Sequence, residues 1–489
     1  MSLAKPSSFE DLSELSGFDP NNSFALYNYV CGDARQLCAN PAKDLLAHQM
    51  PLTYSGSADS RIVSYQTLPG HLDYLRKIGL LKGEVIEIKL LQTRDLIRRR
   101  LTGAFTTPQD LNNSLGYPNG SIEHELLRCI ETDKTLYNKL KGHRPVTTFE
   151  NIDSRNLRSI LGTTELANVD KDLGAIANSK SELRRASAKY GFKMTEGIIT
   201  KNPEELKLQV LEYLNRGIKK VWLKTASGVA GKLVRPVESP DILNETVAEL
   251  LNEIDSSLAL NHDQENSDFK TDFVAEIDIA DHLSQSLISL SEKPLTINFN
   301  AQAVISDHQI TPIGFSEQKT DSNGKYLGNE FDDSSKTNAM GPALYTELIK
   351  VCKWLQDLGY RGVMGADLIA TIQGEKQEIF VIDCNARFNG STSSILIKNH
   401  FGAKNVTNMI IEAPKSITDF NQATQLLGQN LLFSPEHGRG ILPKRFNSLV
   451  LGRYVIPANT LVADLVSNSK DESEDLISRM RARSLKIIE

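Results

Sequence analysis

From residue 175 onward, apolar and polar positions fall into short blocks that switch between helical and strand periodicity. Ser179–Tyr190 repeats its apolar residues at helical spacing and stops at Gly191, which predicts a charged amphipathic helix. Ile198–Thr200 predicts a short strand. Asn202–Arg216 predicts a second helix, opened by Asn202 and Pro203 and closed by Gly217. Lys220–Lys224 (KVWLK) alternates as a strand and runs into the small-residue loop Thr225–Gly231, with Leu233–Val237 as the returning strand. Asn261–Asp272 is polar and predicts a surface loop. Strands follow at Phe273–Ile279, Thr296–Ile305 and Gln309–Phe315, the last two a candidate hairpin through Ser306–His308. Thr320–Lys336 predicts a mobile polar stretch and Pro342–Leu358 a helix. Gly362–Thr371 and Glu378–Cys384 predict two strands joined by a turn at Gln373–Lys376, and the charged tail from Ser467 carries a helix near its end.

The N-terminal third is less regular. Arg61–Tyr65 and Gly83–Leu91 read as strands, His71–Leu80 as a helix and Ser121–Gly142 as one long helix. Strand–helix–strand order predicts a small α/β domain with parallel pairing. The whole therefore predicts an α/β fold with α+β lobes, two to four in number for a chain of this length.

Composition narrows the function classes. The 489 residues carry a net charge of −6 with 24% charged residues, so no global basic field favours nucleic acid. Arg94 with Arg98–Arg100 is a local exception, which reads as a solvated helix face before it reads as a polyanion patch. Five cysteines, at 31, 38, 129, 352 and 384, lie in no metal-ligand spacing and fit a reducing compartment. The N-terminus lacks the apolar core of a signal peptide, and no apolar run approaches the length of a membrane span. The expectation is a cytoplasmic protein without membrane or nucleic-acid partners, compatible with a homodimer.

Two constellations carry candidate chemistry. Lys224 ends a strand and is followed by a loop holding Ser227, Gly228 and Gly231, where an ammonium and close-approaching backbone N–H groups suit phosphate. A plain glycine-containing hairpin turn fits the same residues. It is not a P-loop, because residue 226 is alanine and Leu233 follows Lys232. No strand leads into GxGxxG, which disfavours a dinucleotide-binding dehydrogenase. The second constellation is Asp367 in GADLIA with Asp383, Asn385 and Arg387 in DCNARFNGS. Asp383, Asn385 and Arg387 alternate along a strand and so share one face. Two carboxylates and an amide oxygen are hard ligands suited to Mg²⁺, and Arg387 can brace a phosphate or a developing negative charge.

The order of these residues resembles the ATP-grasp superfamily over roughly residues 175–400. Lys180 on a helix precedes Lys224 with Gly228 and Gly231, then come Glu276 in DFVAEIDI, Asp367, and DCNARFNGS in place of a pattern close to E-x-N-P-R-x-x-G. Asp383 stands where that pattern has glutamate and Ala386 where it has proline. The resemblance implies an N-terminal pre-ATP-grasp α/β domain over 1–175 before a two-lobed ATP-grasp fold, with the small lobe over 176–275 and the large lobe and C-terminal extension over 276–489. It also implies ATP phosphates held by Lys180 and Lys224, adenine beside Glu276, and ribose near Asp281 or Ser284. One or two Mg²⁺ ions, or Mn²⁺, would be held by Asp367, Asp383 and Asn385, with Arg387 and Lys224 catalytic. The segments EQKTDSNGKYLGNEF and GRGILPKRF look like those of peptide or amide ligases, which makes Gln318, Arg439 and the 320–336 loop candidate substrate contacts. The implied activity is ATP-dependent ligation of a small-molecule carboxylate to an amine through an acyl phosphate. A non-amine acceptor and a nucleotide-binding regulator that has lost catalysis are the alternatives.

Overall fold

The computed structural model describes residues 4–15, 23–26, 61–88, 122–147, 152–163, 173–226, 234–260, 272–286, 295–320, 326–331, 335–373, 376–451 and 454–488. The chain forms two compact units that interleave in sequence. One holds 169–327 and 335–386, the other 2–168, 328–334 and 387–489. The serial division at 175 and 275 differs from this, because the N-terminal region packs with the C-terminal strands.

In the N-terminal region, α1 (Phe9–Leu15) precedes a parallel sheet of β1 (Ser23–Leu26), β2 (Arg61–Tyr65), β3 (Glu84–Ile88) and β4 (Arg144–Thr147), in the order β3-β2-β1-β4. Between β2 and β3 lies α2 (His71–Lys77). The long helix expected over Ser121–Gly142 is two: α3 (Ile122–Thr132) and α4 (Lys134–Leu140). The Asp133 carboxylate accepts from the N–H groups of Thr135 and Leu136 and so starts a new helix. Helix α5 (Ile152–Leu161) closes the region.

The unit containing 169–327 and 335–386 begins with α6 (Leu173–Ala177) and α7 (Lys180–Tyr190), the latter capped by Ser179 and ended by Gly191 at φ 71°. It holds two antiparallel sheets. The first comprises β5 (Gly197–Thr200), β6 (Val221–Thr225), β7 (Val234–Val237) and β8 (Phe273–Ile277), in the order β5-β8-β6-β7. Its apolar face packs against α8 (Pro203–Asn215) and α9 (Leu243–Leu260) through Leu206, Val210, Tyr213, Val247 and Leu250. After β8 comes α10 (Ile279–Ser286).

The second sheet of this unit contains β9 (Leu295–Ile305), β10 (Ile310–Thr320), β12 (Gly362–Gln373) and β13 (Lys376–Asn385), in the order β13-β12-β9-β10, with β11 (Tyr326–Phe331) following β10 in the chain. On β9 the alternation is plain: Phe299, Ala301, Ala303 and Ile305 pack beneath α11 (Ser335–Asp357), so Asn298, Asn300 and Gln302 take the opposite face. Helix α11 starts well before the expected Pro342, which lies inside it. The polar stretch expected to be mobile contains strand β11, of which residues 328–331 belong to the other unit.

There β11 pairs antiparallel with β14 (Asn405–Ile417), which pairs with β18 (Ala458–Ser467), and β18 with β15 (Gly440–Phe446). Gly328, at φ 155°, sits so close to the Asn408 carbonyl that a Cβ would collide with it. Helices α12 (Gly390–Phe401), α13 (Phe420–Leu427) and α14 (Lys470–Ala482), the hairpin β16 (Leu449–Leu451)–β17 (Tyr454–Ile456), and β19 (Lys486–Ile488) on β14 complete the unit. His71 and Tyr74 of α2 stack on Phe420 of α13 and donate to the carbonyls of Pro443 and Phe433. This contact joins the N-terminal region to the C-terminal strands.

Candidate active site

Strand β6 delivers Lys224, and β8 delivers Glu276 on the diagonal from it, opposite Trp222; both side chains are buried. The Lys224 Nζ is ion-paired with Glu276 Oε2, and Arg184 Nη2 lies 2.8 Å from Oε1. Burial pushes the Glu276 carboxyl up, but the two cations outweigh it and hold the group at about 2. Arg184 comes from α7, one turn after Lys180. The first turn of α7 is tied to the end of β6 by backbone alone: Lys180 N–H donates to the Ala226 carbonyl (2.8 Å) and Ala226 N–H to the Asp272 carbonyl (3.0 Å).

Across the second sheet, Asp367 of β12 stands opposite Asp383 of β13, and Gly365 opposite Asn385. A β-bulge between Asp367 and Leu368 on the register decides which way these groups point. Ile379 and Val381 face the helix-covered core, and strict alternation would send Asp383 there too. The extra residue, Ile382, reverses the alternation. Cys384 and Ala386 therefore enter the core, while Asp383 and Asn385 join Asp367 on the polar face.

Three amides hold Asp367. Asn300 Nδ2 donates to its Oδ1 at 2.7 Å and Gln318 Nε2 to the same oxygen at 2.8 Å, while Asn385 Nδ2 donates to Oδ2 at 3.1 Å. Buried Gln302 donates to Asn300 Oδ1 at 2.9 Å and so fixes which end of the Asn300 amide faces the acid. Burial, then the negative charge of Asp383, push Asp367 up to about 6 despite these donors. Lys180 Nζ lies 3.0 Å from Asp383 Oδ2, so the ammonium of α7 reaches the acidic pair. On the same face of the strands, Ile369, Phe380 and Ile382 form an apolar shelf with Ile279 of α10.

Asp367 and Glu276 give stability opposite dependences on pH. The folded pKa of Asp367, about 6, lies above the ordinary 3.8, so stability falls as pH rises through that window. Glu276, held at about 2 against an ordinary 4.5, contributes stability that is lost as pH falls from the upper value toward the lower. Asp367→Asn is therefore expected to melt higher than the parent chain in metal-free buffer near pH 8. The gain is on the order of 1–2 kcal/mol, discounted because Asp367 is only partly buried. Melting curves recorded from about pH 4 to 8 should show the two proteins converging at the acidic end. A variant less stable throughout would contradict this account of Asp367.

Among the residues proposed from sequence, Lys180, Lys224, Glu276, Asp367, Asp383 and Asn385 lie in one unit, and the ion pairs and hydrogen bonds above connect them in two clusters. Asp281 is buried and accepts from the N–H groups of Lys219 and Lys220 (2.8 and 2.9 Å), holding the entry to β6. Ser284 lies on α10, with its side chain outside the described set; Ser227, Gly228, Gly231, Asn261–Lys270 and the Arg94–Arg100 cluster lie outside the described residues. Arg387 belongs to the other unit. Gln318 turns toward Asp367, and Arg439 pairs with Glu472 at 3.3 Å on the surface of its own unit. Sequence reasoning missed Arg184, Asn300 and Gln302. The signals were there: Arg184 is four residues after Lys180 on a helix, and NFNAQ alternates amides along a strand.

A small sheet that presents a buried lysine, followed by a second sheet with facing acids, is the arrangement expected of an ATP-grasp domain. Residues 192–391 match the family model described as the ATP-grasp domain. The [butirosin acyl-carrier protein]–L-glutamate ligase of Niallia circulans is 25% identical over 215 residues, 44% of this chain and 44% of that protein. The chain is thus matched to less than half the length of that relative. Among solved structures, the L-amino acid ligase from Bacillus licheniformis is 11% identical with a TM-score of 0.48, covering 96% of this chain and 99% of that one. N5-carboxyaminoimidazole synthetase from Staphylococcus aureus complexed with ADP is 11% identical with a TM-score of 0.47, covering 94% and 96%. Among the described residues no helix is long and apolar enough to cross a membrane.

Proposed function

We propose that the chain is an ATP-dependent ligase that activates a carboxylate as an acyl phosphate and passes the acyl group to an amine. The observation that carries this reading is the meeting of Lys180 with Asp383 at 3.0 Å beside Asp367, both acids lying in the stretch 192–391 that matches the ATP-grasp family model. A cation able to hold phosphate and acids able to hold a metal share one point there.

The residues fit Mg²⁺. Asp367 and Asp383 face each other, burial and then the charge of Asp383 raise the Asp367 carboxyl, and the Lys180 ammonium reaches the pair with positive charge. Among the described residues no group of three or more His, Cys, Asp or Glu side chains could hold a metal ion. A pair of carboxylates helped by an amide and by substrate phosphates is the usual setting for Mg²⁺ rather than for a metal caged by protein alone. Asp367, Asp383 and Asn385 would hold it, with Asn385 turning its amide oxygen inward; Mn²⁺ suits the same donors. Bound there, the ion supplies neutralisation of the phosphates during transfer.

The chain's own residues account for the rest. Lys224 leaves Glu276 to Arg184 and turns to the phosphates, so the ion pair of the free protein is exchanged for a contact with the nucleotide. Lys180 makes the corresponding exchange from Asp383. The apolar shelf of Ile369, Phe380 and Ile382 suits a purine face, and Glu276 with the backbone beside it would meet the edge of the adenine. The substrate carboxylate oxygen attacks the γ-phosphorus, the bond from that phosphorus to the β-γ bridging oxygen breaks, and ADP leaves. The amine nitrogen then attacks the acyl carbon, inorganic phosphate leaves with the C–O electrons, and the nitrogen loses a proton. Arg387 would steady the oxyanion of that second step.

The relative named for L-glutamate and an acyl-carrier protein favours a second reading in which activation is the same and the acceptor is carrier-bound. A screen of ADP release with Mg·ATP, amino acids and small carboxylic acids, run with amine or thiol acceptors, tests both. Release that requires one carboxylate together with one amine supports ligation to an amine. Absence of release with every pair, under conditions where nucleotide binds, would leave a regulator and refute the ligase.

A further inference from the structure

The two oxygens of Asp367 are not equivalent. Oδ1 accepts two short amide hydrogen bonds, from Asn300 and Gln318 at 2.7 and 2.8 Å, whereas Oδ2 accepts one, from Asn385, at 3.1 Å. A carboxylate oxygen has two in-plane lone-pair directions; both on Oδ1 meet short amide donors, whereas Oδ2 keeps one open. The arrangement is rigid. Asn300 is buried on a central strand, and Gln302, also buried, engages its carbonyl oxygen, which leaves only the NH₂ end of Asn300 to face the acid. Gln318 reaches the same oxygen from β10, on the far side of β9 from β12.

We infer that Asn300 and Gln318 are positioning residues that set metal selectivity, by restricting Asp367 to ligation through Oδ2 alone. Mg²⁺ demands a small, near-octahedral shell, whereas Ca²⁺ takes more oxygens at longer range and readily accepts both oxygens of one carboxylate. An acid with one oxygen tied to two amides serves the first ion and denies the second its bidentate partner. Gln302 acts one step further out, through Asn300. None of the three amides touches the reacting atoms in this scheme; they act through Asp367.

The inference rests on Asp367 being a metal ligand, and the test separates the two claims. Mg²⁺ and Ca²⁺ are titrated calorimetrically into the full chain at a fixed concentration of a non-hydrolysable ATP analogue. The chain is compared with Gln318→Met, which keeps the length of a partly exposed side chain and removes its donors, and with Asn300→Ala. The nucleotide's own preference cancels when each variant's Mg²⁺:Ca²⁺ affinity ratio is divided by that of the parent. Loss of partners that orient a metal ligand typically costs about 10–100-fold in affinity. The expected result is a fall of that size for Mg²⁺ with Ca²⁺ nearly unchanged, and with metal-free melting temperatures preserved. Equal losses for both ions, or no change in either, would overturn the inference while leaving the metal site standing. Failure of the parent chain to bind either ion with the nucleotide analogue would instead remove Asp367 as a ligand. Should Asn300→Ala not fold, Gln318→Met alone decides.

Discussion

Lys224→Met will lower the rate of ADP formation by on the order of a hundredfold or more while leaving the chain folded. The two halves of that expectation come from different parts of one cluster. Lys224 is buried, and in the free protein its charge is spent on Glu276, which Arg184 also holds at 2.8 Å. Removing Lys224 therefore does not strand Glu276: one cation remains on it, so the large penalty for an uncompensated buried charge does not arise. In the proposed reaction the same ammonium would meet the transferring phosphoryl group from a buried position, where a fixed charge is worth far more than at the surface. Arg184 cannot replace it, because Thr195 takes one arm of its guanidinium and Glu276 the other. Steady-state assay of ADP release, with melting curves as the control, checks both halves. An active Lys224→Met, or one that fails to fold, would contradict the role given to this lysine.

The largest effect on stability is expected far along the chain, at Asp464. Lys444 of β15 and Asp464 of β18 are both fully buried, with Nζ 2.8 Å from Oδ1. Ser393 and Ser394, in the first turn of α12, each accept from Lys444 at 3.0 Å, so all three ammonium protons are used. Ser394 and Asn408 donate to Asp464 Oδ1, each at 3.0 Å. Burial pushes the Lys444 ammonium down, and Asp464 is the counter-charge that opposes it. Asp464→Leu leaves that ammonium without a counter-charge and should cost about 3–5 kcal/mol. The double replacement Lys444→Met with Asp464→Leu removes both charges for apolar groups of similar bulk and should cost much less. Denaturant unfolding of the two singles and the double, read as a cycle, measures the coupling. Simple additivity would show that the pair contributes nothing as a pair. If the pair is as tightly coupled as its geometry indicates, its place in the fold is to pin the start of α12, three residues after Arg387.

Much of the secondary structure around the candidate site was legible because helix ends and strand alternation are local. Ser179 and Gly191 bound α7 as their chemistry requires, and Asn202-Pro203 open α8. Asp367 and Asp383 were paired correctly because the turn between their strands is tight and the apolar runs are of matching length. The direction of Asp383, however, depends on a single extra residue at Ile382, and a bulge of that kind is a property of two strands rather than of one sequence window. The same limit explains the amides. Asn300 and Gln302 read as ordinary polar positions on a half-buried strand until β12 is placed beside β9 and brings Asp367 against them. Strand β11 has no local signature, because the strand that fixes it, β14, lies some eighty residues later in the chain. The break at Asp133 was local and readable, since Asp competes for backbone N–H groups wherever it sits inside a helical run.

The central claim is that a carboxylate is phosphorylated before it is joined to its acceptor, and the fate of one oxygen atom tests it. With a substrate carboxylate labelled with ¹⁸O and Mg·ATP, the acyl phosphate route transfers one carboxylate oxygen to the phosphate that leaves. Mass spectrometry of the released inorganic phosphate should then find one ¹⁸O atom for each ADP formed from fully labelled substrate. Unlabelled phosphate, or AMP and pyrophosphate as products, would contradict the account.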